Sequence, residues 1–330
     1  MASVALVLGA GGLTGGAWTC GVLGALDEVV GWDARDAELI VGTSAGARVG
    51  ATLRLGFSPA DHHAGARFEP LSVEGALLAA GSDPAVRVLP RPEPRPRTPA
   101  AWLPQSPLAA LRGLTRLPNP RLGAVGLLPR GTAPTGSVGA GLRDLDAHAW
   151  PERPLWITAI RLRDGARVVF GRDPEPEVDL PTAVDASAAV PSWFSPVEVD
   201  GEAYIDGGSD SPTNAELVAG LGFDLAVVLS PMSAVSSVLR GRPSPMRAIR
   251  ALHAQTLARE VARIRRSGTH VLTFQPTAED LEAMGPSSLD GSNTAAIAEQ
   301  AHEAARRRLA DGRARELVAL LERAAARHPR

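Results

Sequence analysis

The chain contains no lysine: all 34 of its basic residues are arginines, set against 36 acidic residues. That absence excludes Schiff-base catalysis by a side chain. It also excludes a P-loop, whose lysine must reach the phosphates. The near-balance of charge, net −2, gives no footing for a polyanionic partner such as nucleic acid. Cys20 is the only cysteine, so there is no intramolecular disulfide and no cysteine metal cluster. It reads as a small buried side chain on the first helix. Aromatic residues make up only 4%, so the core must be aliphatic, and 45% apolar residues suffice for one. The N-terminal stretch Met1 to Leu8 lacks a basic region and is too short in apolar residues for a secretory signal or a membrane span. A cytoplasmic location is expected, with at most peripheral contact with a membrane surface. No His, Cys, Asp or Glu cluster has ligand spacing, and neither a metal nor a cofactor is expected.

What is present is a run of strand and helix patterns separated by glycine. Val4 to Leu8 reads as a buried strand, and Gly9-Ala10-Gly11-Gly12-Leu13-Thr14-Gly15-Gly16 as a glycine-rich loop. A helix with apolar residues on more than one face follows to about Val30. Glu38 to Val41 is a second strand, and Ala45 to Leu55 a second helix. This alternation is the opening of a parallel sheet with covering helices. Two short helices are expected over Pro59 to Arg67 and Ser72 to Ala80. Leu89 to Arg97 cannot be helix or interior strand, and the Pro/Arg/Gly-rich stretch at 84–140 around it is expected as an insertion or lid within a single domain spanning 1–330. Leu155 to Ile160 and Ala166 to Phe170 form a hairpin around Asp164-Gly165, and Pro181 to Ala189 a short helix. A second small hairpin, Val197 to Val199 with Ala203 to Ile205, leads into Asp206-Gly207-Gly208. A helix near Ser211 with a Thr213/Glu216 capping box, a strand at Asp224 to Ser230, a helix at Pro245 to Arg266 and a last strand at His270 to Phe274 complete the pattern. On the Pro245 helix, Met246, Ile249, Leu257, Val261 and Ile264 share one face. The C-terminal region from Thr294 is helical, with a break near Gly312.

Chemistry concentrates at Gly42-Thr43-Ser44-Ala45-Gly46, between the second strand and the second helix. A serine at the apex of a sharp strand-to-helix turn, with Gly42 and Gly46 keeping neighbouring atoms clear, is the nucleophile-elbow pattern. An acyl-transfer site also needs a base and donors for the developing oxyanion. Gly11 and Gly12 suit the second role, since no side chain blocks them and their amides lie at a helix start. A dinucleotide loop fits poorly: Thr14 stands where the G-x-G-x-x-G spacing needs glycine, and the second strand carries no acidic end. For the base, seven histidines are available, of which His253 on a helix face and His270 at the start of a strand are the candidates for a histidine-dependent site, yet none sits in a Gly/Asp-rich loop after a strand. Asp206 does, and its position allows it to face Ser44. Three readings follow: a hydrolase using Ser44 with Asp206; a Ser-Asp-His hydrolase or an acyltransferase on the same elbow; or a nucleotide-binding or interaction module on the same scaffold.

Taken in order, Leu8 to Gly15, Gly42 to Gly46 and Asp206-Gly207-Gly208 resemble the motifs of patatin-like phospholipases. The flanks Ala189 to Val197 and Ser211 to Ala215 are similar too. The resemblance implies a three-layer α/β/α fold with a largely parallel central sheet and a Ser44–Asp206 dyad without histidine. It further implies an oxyanion hole from the amides of Gly11, Gly12 and Leu13, and hydrolysis of lipid or other long-chain acyl esters through an acyl-serine. Gly207 and Gly208 form the aspartate loop, and Trp193 and Phe194 are candidates for an apolar acyl pocket. One departure stands out, since many members of the family carry Arg or Lys where this chain has Thr14.

Overall fold

The computed structural model describes residues 2–81, 125–174, 176–240 and 244–326. The described strands are β1 (Val4–Leu8), β2 (Leu39–Gly42), β3 (Leu155–Arg161), β4 (Ala166–Phe170), β5 (Val197–Val199), β6 (Glu202–Asp206), β7 (Leu225–Leu229) and β8 (His270–Phe274). The helices are α1 (Gly12–Val30), α2 (Ala45–Arg54), α3 (Pro59–Ala66), α4 (Val73–Leu78), α5 (Ala140–Asp144), α6 (Leu180–Ser187), α7 (Ser236–Leu239), α8 (Pro245–Arg266), α9 (Ala278–Met284), α10 (Thr294–Ala310) and α11 (Arg315–Ala325).

The strands form one eight-stranded sheet, parallel through β3-β2-β1-β7-β8 and antiparallel where β4, β5 and β6 join. The sheet is therefore mixed, with parallel pairing in its centre. Alternation along β1 assigns the layers, because successive side chains point to opposite faces. Val4, Leu6 and Leu8 pack with Trp18, Leu23 and Leu26 of α1, Ala47 of α2 and Ala301 of α10. Ala5 and Val7 pack instead with Leu257, Val261 and Ile264 of α8. Helices cover both faces, giving an α/β/α sandwich.

One detail of register positions everything that follows. Ile157 of β3 pairs with both Gly42 and Phe170, so β2 and β4 flank β3 on opposite sides. Ala159 pairs with both Val168 and Asp206, which puts β6 on the same side as β2. β2 runs parallel to β3 and ends at Gly42, while β6 runs antiparallel and ends at Asp206. Two strands thus run toward one another along one edge of β3 and stop with Thr158 between them.

The structure corrects several expectations. Residues 211–218 hold only a 3-10 turn, Ala215–Val218, and no capping box. Asn214 adopts a left-handed conformation (φ 51°, ψ 30°) that a helix cannot pass through. Thr213 donates to Glu260, and Glu216 accepts from Arg167. Only the C-terminal half of α8 lies over the sheet, so Met246 and Ile249 are exposed, not aligned in the core with Leu257. Helix α9, unforeseen in the hydrophobic pattern, is started by a capping box between Thr277 and Asp280. Residues 84–124 of the expected insertion lie outside the described residues. Its remainder docks on the fold: Ala133 N–H donates to Trp193 O (2.9 Å), and Gly139 N–H to Asp185 Oδ1 (2.8 Å).

Candidate active site

β2 delivers its chain to the end of the sheet, where Thr43 N–H donates to Leu8 O (3.0 Å) and the backbone turns abruptly into α2. Ser44 sits at the apex with φ 55° and ψ −118°. That combination lies outside the left-handed well and costs about 1–3 kcal/mol, a cost the surrounding contacts must offset. The turn is this tight because its glycines allow it. A Cβ on Gly46 would stand 2.0 Å from Leu8 O, and one on Gly42 would stand 2.6 Å from Ala47 Cα. The Ser44 amide donates to Ser187 Oγ at the end of α6 (2.8 Å).

Asp206 approaches from the opposing strand end. Its N–H donates to Ala189 O (3.0 Å), and Gly208 N–H donates to its Oδ1 (2.6 Å). Burial pushes its carboxyl up to about 6, while the hydrogen bonds from Gly208 and from the Ser44 side chain act in the other direction. Desolvation therefore wins, leaving a carboxylate more basic than usual next to the elbow serine.

Beneath the pair lies a polar bridge. Thr43 Oγ1 and Thr158 Oγ1 are 2.9 Å apart, and Asn214 Nδ2 donates to both (3.1 Å each) and to Ser211 O (2.7 Å). Ser211 and Thr213 in turn donate to Glu260, whose carboxyl is raised by burial and by neighbouring Glu216. Asn214 thereby ties both strand ends and the segment after the aspartate loop to one point. None of Thr43, Thr158, Ser187 or Asn214 stood out in the sequence as functional. The signals were positional: Thr43 falls inside the Gly42 to Gly46 motif, and Asn214 in the Ser211 to Ala215 flank.

The glycine loop lies beside the elbow. Among the described residues, the amides of Gly11 and Gly12 meet no acceptor, and Gly12 lines the cleft at Ser44. The amide of Leu13, expected as a third oxyanion donor, is already committed to Ser288 O (2.8 Å), as is that of Thr14 (3.2 Å). The cleft is small, about 50 Å³, and Val138, Val190, Phe194 and Leu289 give it apolar walls. Phe194 thus reaches the cleft, whereas Trp193 packs half-buried against the core and is not part of its lining. Arg48, one turn beyond Ser44 on α2, lines it too.

The histidines are elsewhere. His270 opens β8, whose start lies beside the start of β7, at the end of the sheet opposite Ser44. His253, on α8, has Nδ1 3.2 Å from Met232 O and does not line the cleft. His62 is bonded to Thr52 Oγ1 (2.8 Å) and Ser58 O (2.8 Å), and burial lowers its pKa to about 4.

An α/β/α sandwich with a serine at the sharp turn after a central strand is a scaffold that many functions share. Comparison with known proteins narrows it: the family model for patatin-like phospholipases matches residues 143–219. This span runs from α5 through Asp206 to the 3-10 turn, and it supports the resemblance read from the motifs. The Ser44 elbow and the glycine loop lie outside the matched residues. No curated protein sequence matches the chain. Among solved structures, VipD from Legionella pneumophila is similar over 93% of this chain, at 13% identity and a TM-score of 0.41. The alignment covers 66% of VipD, so this chain spans just under two thirds of its length.

Proposed function

We propose that the protein is a serine acyl hydrolase of the patatin-like type, acting on lipid or other long-chain esters through a Ser44–Asp206 dyad. The observation that carries this reading is the strained elbow serine beside a buried carboxylate whose basicity desolvation has raised. Asp206 accepts the Ser44 proton as Oγ attacks the ester carbonyl. The amides of Gly11 and Gly12 stabilise the oxyanion, and Asp206 returns the proton to the departing alcohol. Water then attacks the acyl-serine with Asp206 again as base, releasing the acid and restoring Ser44. Exposed Phe68, Val73 and Leu77 offer apolar contact with a lipid surface. Among the described residues, no helix is long and apolar enough to cross a membrane.

The test is labelling with a fluorophosphonate alongside hydrolysis of a chromogenic ester. Wild type is expected to label and to turn over, Ser44→Ala to do neither, and Asp206→Asn to lose about 10²–10⁴-fold in kcat. Labelling that persists in Ser44→Ala would sink the assignment.

A further inference from the structure

Behind the Ser44 cleft lies a larger chamber of about 200 Å³, walled by Ala17, Phe57, Ala66, Phe68 and Leu71 among others. Leu13 and Arg48 line both spaces and so form the partition between them. Arg48 is the anomaly. Its side chain is partly buried, desolvation lowers its pKa, and it lines both cavities. Among the described residues, no carboxylate or carbonyl accepts from its guanidinium. The carboxylate lining the chamber, Asp61, is occupied: its oxygens accept from Ser58 Oγ (2.7 Å), Ser72 N–H (2.8 Å) and Ser72 Oγ (3.1 Å). The other titratable neighbours are neutral at physiological pH. Burial drives the Cys20 thiol up to about 11 and the His62 imidazole down to about 4.

An arginine keeps its charge under such conditions, and a partly desolvated cation lining a cavity favours an anionic partner there. Arginine's planar fork matches phosphate and carboxylate oxygens. Arg48 also stands at i+4 from Ser44, on the same helix face and about 6 Å along the axis. An anion held there would belong to a molecule whose ester carbonyl is at Ser44 and whose apolar part extends into the chamber.

We propose that Arg48 receives the anionic group of the substrate, selecting acyl esters with a phosphate or carboxylate near the scissile bond over neutral esters of the same chain. The substrate part of this inference rests on the hydrolase reading; the anion-binding part does not, and the two are tested separately. Calorimetric binding of octyl phosphate, octanoate and octanol needs no turnover. Wild type is expected to bind at least one of the two anions about tenfold or more tighter than octanol. Arg48→Met, with its fold checked by circular dichroism, is expected to abolish that preference, and Arg48→Lys to retain part of it. Tighter binding of octyl phosphate than octanoate assigns a phosphate group, and the reverse assigns a carboxylate. Equal binding of anions and octanol by wild type would overturn the site, as would a preference that survives in folded Arg48→Met. Should Arg48→Met not fold, the wild-type ratio and Arg48→Lys decide the matter. The kinetic arm compares kcat/KM for an anionic and a neutral ester of equal chain length, where the anionic ester is expected to lead in wild type. Loss of Ser44 labelling and turnover with intact anion binding would remove the hydrolase reading and leave the anion site standing.

Discussion

Asp206 is under two opposed demands, because the burial that makes it a better base also makes its ionised form costly to keep. With the folded carboxyl near 6 and the unfolded one near its ordinary 3.8, the folded state binds its proton more tightly. The penalty is therefore absent below about pH 4, grows between the two values, and is complete above about pH 6. At full ionisation it amounts to about 3 kcal/mol. Asp206→Asn is accordingly expected to be more stable than wild type at pH 8, by up to about 3 kcal/mol in urea unfolding, with no gain at pH 4. In the wild type, kcat/KM on a neutral ester should rise with pH through an apparent pKa near 6 and then level off, since only the ionised carboxylate can take the serine proton. A flat profile from pH 5 to 8 would argue against Asp206 as the base. At this scale the sequence was informative where chemistry is local: the elbow residues Gly42, Ser44 and Gly46 fall within five positions. Asn214, Ser187 and Arg48 were not legible, because their roles depend on which distant group the fold brings beside them.

Among the elements, α1 and α10 pack closely around Gly21. A Cβ there would stand 2.1 Å from Ala298 O and 2.9 Å from Ala301 Cβ. Alanine is the better helix former by about 1 kcal/mol, yet overpacking costs about 1–3 kcal/mol, so the steric effect decides. Gly21→Ala is expected to destabilise by about 1–2 kcal/mol in urea unfolding. In the same helix, Gly16 would meet only ordinary contacts at 3.8 and 3.9 Å, and Gly16→Ala is expected to be neutral or stabilising. If both variants lost stability equally, the close crossing would not be the cause. Element bounds were readable within a residue or two wherever hydrophobic period and glycine punctuation agreed, as for β1, β2 and α2, whereas α1 begins at Gly12, inside the stretch read as a loop to Gly16. They were misread at Thr213, where an apparent cap is a buried donor to Glu260, and along α8, which outruns the sheet it covers. Periodicity reports that a face is apolar, not how far its partner extends.

For the molecule as a whole, the parallel centre of the sheet was legible from the opening strand-helix alternation, whereas the sharing of one edge of β3 by β2 and β6 was not. No spacing rule encodes which of two hairpin strands will meet the end of a strand from the other end of the chain. That meeting also sets an order of events in time. Secondary structure can form from neighbours in sequence, but the serine and its carboxylate come together only once long-range closures are complete, and such closures are slow. On dilution from urea, the far-UV signal is expected to recover before fluorophosphonate reactivity does, and the two recovering together would mean that the edge closes with the first helices. Because β2 and β6 stop head to head with Thr158 between them, slipping β6 by one residue would turn the Asp206 side chain to the other face of the sheet. On the proposed mechanism, a chain misregistered at β6 would hold its serine without its base and stay chemically silent.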